Sequence, residues 1–83
     1  MTVMNATSTY ERLSTVFTRV MGVEPPHGPE TSPQDVEAWD SLGHIKLFAE
    51  AESEFDRQLP DELMIPGHSL RQLAEAVDAA PPA

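Results

Sequence analysis

Pro25, Pro26, Gly28, Pro29 and Pro33 stand so close together that neither a regular helix nor a central strand can run through them. They lie within residues 22–39, where no hydrophobic period survives, whereas apolar spacings of three and four flank the stretch on both sides. The chain must therefore fold as one helix, a long loop and further helices. A loop of this length in a small domain is uncommon and is usually functional or disordered. Val36 and Trp39, its apolar members near the end, are expected to pin it to the helices, with a single turn near 33–37.

Ser8-Thr9-Tyr10-Glu11 reads as a capping box, and Tyr10, Leu13, Phe17, Val20 and Met21 follow on one face, with Gly22 as a stop. This predicts helix I over 9–21. Helix II is expected from Ser41, taken as its N-cap, to about residue 55. Ile45, Leu47, Phe48, Ala51 and Phe55 form its apolar stripe, and Lys46, Glu50, Ser53 and Glu54 lie opposite. Pro60 opens a short helix III, with Asp61 and Glu62 at its positive end, and Pro66 and Gly67 end it. Ser69-Leu70-Arg71-Gln72 is a second capping box, and it starts helix IV with Leu70, Leu73, Ala74 and Val77 inward.

The expected fold class is all-α: a small four-helix bundle with three longer helices, one short helix III and a long loop between helices I and II. One domain spans 1–83, with an ordered core over 9–78 and flexible tails at 1–7 and 79–83. Leu13, Phe17, Val20, Leu47, Phe48, Ala51, Phe55, Leu59, Leu70, Leu73 and Val77 are expected to form the core.

A chain of 83 residues buries only about 60% of its unfolded surface, so a dinucleotide fold or a two-domain cleft is excluded. Fourteen acidic residues against 5 basic ones give a net charge of −9. Nucleic acids and anionic membranes would be repelled. No apolar run is long enough to span a bilayer, and the N-terminus lacks the basic and apolar regions of a secretory signal, so a cytoplasmic protein is expected. Without cysteine there is no disulfide, thiolate metal site or thiol nucleophile.

Asp40-Ser41-Leu42 is the candidate functional triplet. Its bland interpretation is a cap, a dipole partner and a packed leucine. Ser41, His44 and Asp40 do not suggest a hydrolytic triad, because a slender bundle offers no oxyanion hole in a shaped pocket. His27, His44 and His68 lie in different elements without ligand spacing, so no metal site is expected and the three are expected to be solvated.

The triplet follows a long loop and opens an acidic amphipathic helix, and there the chain resembles the acyl and peptidyl carrier protein family. Residues 36–45, Val-Glu-Ala-Trp-Asp-Ser-Leu-Gly-His-Ile, are similar to the family's phosphopantetheine attachment motif. Glu52 to Asp56 are similar to the end of its second helix, and Leu59-Pro60-Asp61-Glu62 to the start of its third. The resemblance runs from helix I to helix IV.

It implies a carrier, not an enzyme. A phosphopantetheinyl transferase using Mg²⁺ and coenzyme A would join 4'-phosphopantetheine to the Ser41 hydroxyl, importing the sulfur that the chain lacks. Acyl or aminoacyl groups would then ride as thioesters. By resemblance Asp40 helps position Mg²⁺ or meets basic transferase residues, and Leu42 and Ile45 contact partners. Gly43 leaves the arm uncrowded, and His44 lies near the arm or a partner enzyme. Glu50 and Glu54, one turn apart, are expected to be an exposed pair for docking basic partners such as a loading enzyme, an acyltransferase or a ketosynthase. Glu52 reaches the same surface or lies along the boundary with helix III. Lys46 stands where many fatty-acid carriers have an acidic residue, and Trp39, Gly43 and His44 are more similar to discrete carriers of polyketide or nonribosomal peptide pathways. A free-standing monomer is expected, with its cargo either between helices II and III or outside the bundle. The alternative from another class is an unmodified acidic helical module that binds a basic protein.

Overall fold

A computed structural model describes residues 6–65 and 67–81, with side chains from Thr9 onward. Three α-helices make up most of it: α1 (Ala6–Met21), α2 (Ser41–Phe55) and α3 (Leu70–Ala79). Three short 3-10 turns complete it, at Gly28–Glu30, Pro33–Asp35 and Asp61–Met64. No strand occurs among the described residues. α1 packs against both α2 and α3, the first turn against α3 and the third against α2.

The expected helices I, II and IV are α1, α2 and α3. The expected helix III is a single 3-10 turn, so the architecture is three helices plus a turn instead of four helices. Pro60 precedes the turn with extended backbone and Ile65 ends it extended, leaving four residues between them. Too few amide hydrogens fit in that span to build i→i+4 bonding. Pro66, the expected terminator, lies outside the described residues.

α1 starts before its expected cap. Ser8 lies inside the helix, and the buried Thr9 hydroxyl donates to the Asp78 carboxylate of α3. Of the residues expected in flexible tails, only 6–7 and 79–81 are described. Ala6 and Thr7 are helical, residues 1–5 and 82–83 lie outside the described residues, and Ala79 closes α3. Ala80 is buried, its carbonyl accepts from Arg57 Nη1 at 2.8 Å, and the Pro81 carbonyl accepts from the Gln58 N–H at 3.2 Å. Residues 80 and 81 are thus tied to the segment after α2. The second capping box forms as expected, Ser69 Oγ accepting from the Gln72 N–H while Gln72 Oε1 accepts from the Ser69 N–H.

The core holds nine of the expected residues fully buried, with Val20 and Phe55 packed at its edge. Trp39 belongs to it and meets Phe17 of α1 edge-on, ring centroids 5.1 Å apart. Burying one such large side chain stabilises the fold by about 1.5–3 kcal/mol before entropy is subtracted. The loop is anchored by Val36 and Trp39, as expected, and by Thr31, which had no signature in the sequence. Thr31 is fully buried, its hydroxyl accepts from the His27 N–H at 2.9 Å, and its carbonyl accepts from the Leu70 N–H at 3.0 Å. Arg71 Nε bonds Glu30 at 2.7 Å and closes the same corner from α3.

Candidate functional site

The site starts where the loop turns into α2. The Trp39 N–H donates to the Val36 carbonyl at 2.9 Å, and Asp40 follows in extended backbone. Asp40 Oδ1 accepts from the Gly43 N–H at 2.8 Å, so Asp40 is the N-cap. The expectation that Ser41 caps the helix is corrected: Ser41 is its first residue. Both side chains cap well, but a carboxylate also gains from the positive end of the helix. The Ser41 side chain is left exposed and takes no part in capping.

Gly43 has a backbone reason that its sequence neighbours do not reveal. A Cβ there would lie 2.2 Å from the Ala38 carbonyl oxygen, a distance no methyl group can occupy. The glycine lets the loop backbone close against the first turn of α2.

Exposed apolar side chains stand near the serine on α2. Leu42 is 62% exposed and Ile45 47% exposed, and across from α2 Met64 and Ile65 are exposed as well. Ser41, Ile45, Phe48 and Glu52 are spaced by four, three and four, so they share one stripe of the helix. Ile45 and Phe48 line an open groove of about 760 Å³ between α2 and the 61–64 turn, with Leu59 and Met64 opposite. Its foot is polar, formed by Glu52, Asp56, Arg57 and Asp61. Glu52 lies along this boundary, where its Oε2 accepts from the Leu59 N–H at 2.9 Å.

Glu50 and Glu54 are exposed, as expected, and each is paired with an arginine of α1. Glu50 Oε1 meets Arg19 Nη2 at 3.2 Å, and Glu54 Oε2 meets Arg12 Nη2 at 3.3 Å. The Arg12 guanidinium also lies 4.6 Å from the centre of the Phe55 ring. Both glutamates keep solvent contact but bridge the seam between α1 and α2. Spacing places them on one face of α2 but does not reveal that α1 lies along that flank. The acids that stay exposed near Ser41 are Glu37 and Asp40, with Asp61 and Glu62 beyond the groove.

His44 departs furthest from expectation. It is fully buried, not solvated. Its Nδ1 accepts from Trp39 Nε1–H at 2.9 Å, and its Nε2 faces the Leu63 carbonyl within hydrogen-bond distance. The ring stacks on Trp39 with centroids 6.1 Å apart. A signal was present: His44 precedes Leu47 and Ala51 by three and seven residues, on the apolar face of α2.

No family model, curated protein or solved structure matches the chain.

Both nitrogens of His44 are engaged, so Ser41 has no imidazole base beside it. What remains is an accessible primary hydroxyl at a helix start, bordered by carboxylates and an apolar shelf. Such a hydroxyl suits the acceptor role in a group transfer performed by another protein. Among the described residues no group of three or more His, Asp or Glu converges on a possible metal position, and no helix is long and apolar enough to cross a membrane.

Proposed function

We propose that this protein is a carrier that takes 4'-phosphopantetheine on Ser41 and presents acyl or aminoacyl groups to partner enzymes as thioesters. The observation that carries the reading is the placement of Ser41: exposed, outside the cap, at the first position of α2. The residues around it suit the group. A phosphodiester on Ser41 would lie at the positive end of α2. Asp40 uses Oδ1 for the cap, leaving Oδ2 to meet a cation or a basic side chain of the transferase. Leu42 and Ile45 provide the apolar contact that a modifying enzyme needs beside its target. When attached, the group supplies a thiol, and this chain has none of its own. The polypeptide holds the attachment point, orients it and is recognised, while catalysis belongs to the partners. A polyketide or nonribosomal pathway and a cytoplasmic setting belong to the same reading, as does a fold of the four-helix carrier type with its third helix reduced to one turn.

Intact mass after incubation with a broad-specificity phosphopantetheinyl transferase, Mg²⁺ and coenzyme A tests it. One added phosphopantetheine, absent from Ser41→Ala, is expected. An unchanged mass, or an increment that persists in Ser41→Ala, would leave the unmodified acidic interaction module as the better account.

A further inference from the structure

The two hydrogen bonds of His44 link the Trp39 side chain to the 61–64 turn across α2. The 61–64 turn is held internally by local bonds, the Leu63 N–H to the Pro60 carbonyl and the Ile65 N–H to the Glu62 carbonyl. Among the described residues, the one hydrogen bond from this turn to another element is that between His44 Nε2 and the Leu63 carbonyl. Leu63 is the turn's buried side chain, whereas Met64 and the following Ile65 are exposed. The lip of the groove is therefore lightly held, and His44 supplies its polar attachment.

The other edge of the ring reaches the turn that presents Ser41. Trp39 lies two residues before Ser41, and its indole N–H can only donate. His44 Nδ1 must then be the acceptor, which leaves the imidazole proton on Nε2, aimed at the Leu63 carbonyl. The ring is neutral in this arrangement, and each nitrogen has one partner. Trp39 is in turn held edge-on by Phe17 of α1. A continuous chain of contacts thus runs from α1 through the Ser41 turn and α2 to the lip.

We infer that His44 is a positioning residue: a neutral imidazole, protonated on Nε2, that couples the turn presenting Ser41 to the 61–64 lip of the groove. Loosening one end loosens the other, so presentation of Ser41 and opening of the groove are linked. The value of the link to Ser41 chemistry rests on the carrier reading; the coupling itself does not.

Long-range ¹H–¹⁵N NMR of the unmodified full chain reads the tautomer directly. An Nε2–H ring with unprotonated Nδ1 is expected, and an Nδ1–H ring would overturn the inference. Hydrogen exchange then reads the coupling. In His44→Phe, which keeps a ring but loses both bonds, exchange should quicken by about tenfold at 39–42 and 61–65 together, while the α1–α3 seam is unchanged. His44→Gln, with one acceptor and one donor, should recover part of the protection. A uniform rise across all three helices would reduce His44 to an ordinary core residue. Should His44→Phe fail to fold, Trp39→Phe removes the indole N–H together with part of the buried ring, so exchange at 61–65 is read relative to the α1–α3 seam. Exchange at 61–65 should still quicken, and unchanged exchange there would refute the coupling. These measurements need no phosphopantetheine, so they stand apart from the mass test of Ser41.

Discussion

The carboxylate of Asp40 holds the Gly43 N–H at 2.8 Å, and this contact sets Ser41 one residue inside α2. Had Ser41 supplied the cap, its hydroxyl would be engaged with the backbone. With Asp40 as the cap, the hydroxyl is not engaged in capping while the helix end remains satisfied.

Capping and recognition by Asp40 can be separated. Asp40→Ala should lower stability by about 0.5–2 kcal/mol through loss of the cap. Asp40→Asn retains a capping oxygen and should unfold within a few tenths of a kcal/mol of the parent. If the charge is read by a transferase, phosphopantetheine transfer should nevertheless slow in Asp40→Asn. Urea unfolding and a transfer time course check the two effects independently.

Helix propensity alone favours Gly43→Ala by up to about 1 kcal/mol. The clash with the Ala38 carbonyl should reverse that sign, because backbone must move to admit the methyl. A net loss of about 1–3 kcal/mol is expected. A thermal unfolding midpoint equal to or above that of the parent would show that the loop does not pack as described.

Leu42→Asp tests whether the exposed shelf is used. At 62% exposure the side chain contributes little to packing, so stability should change by no more than about 0.5 kcal/mol. Modification of Ser41 should fall sharply in the same variant. Equal modification rates would remove Leu42 from the partner surface.

Reversing Glu50 and Glu54 to lysine sets like charges against Arg19 and Arg12. Exposed pairs are worth at most about 1 kcal/mol each, and salt screens them. A modest loss of stability is expected, larger at low salt. Combining the reversal with Arg12→Glu and Arg19→Glu should restore it. The Arg19–Glu50 pair is the cleaner test, because Arg12 also packs on Phe55 and bonds the Glu54 carbonyl; no recovery in Glu50→Lys with Arg19→Glu would mean that this pair contributes nothing.

The C-terminal tie is testable through Arg57→Met, which keeps an apolar stem but cannot bond the Ala80 carbonyl. The expected loss is about 0.5–1.5 kcal/mol. Proteolysis at the C-terminus should quicken with it, and an unchanged cleavage rate would count against an anchored end.

Much of the fold was legible because its signals are local. The bounds of α2 and the start of α3 came from spacing and capping residues that lie within a turn of one another, and the position of Ser41 at a helix start came with them. The same locality misled where two side chains competed for one role. Asp40 and Ser41 are both good caps, and the tight approach of Ala38 to Gly43 is invisible until the loop is folded back.

Contacts between residues far apart in the chain were out of reach. A hydrophobic period defines a face, but not which neighbour covers each flank of it. Only the packed bundle brings Arg19 to Glu50, Thr9 to Asp78 and Arg57 to the Ala80 carbonyl. It also turns His44 from a polar residue in an apolar stripe into a buried link between Trp39 and Leu63. Local backbone preference is written residue by residue, whereas the partner of a buried polar group depends on how the elements are assembled.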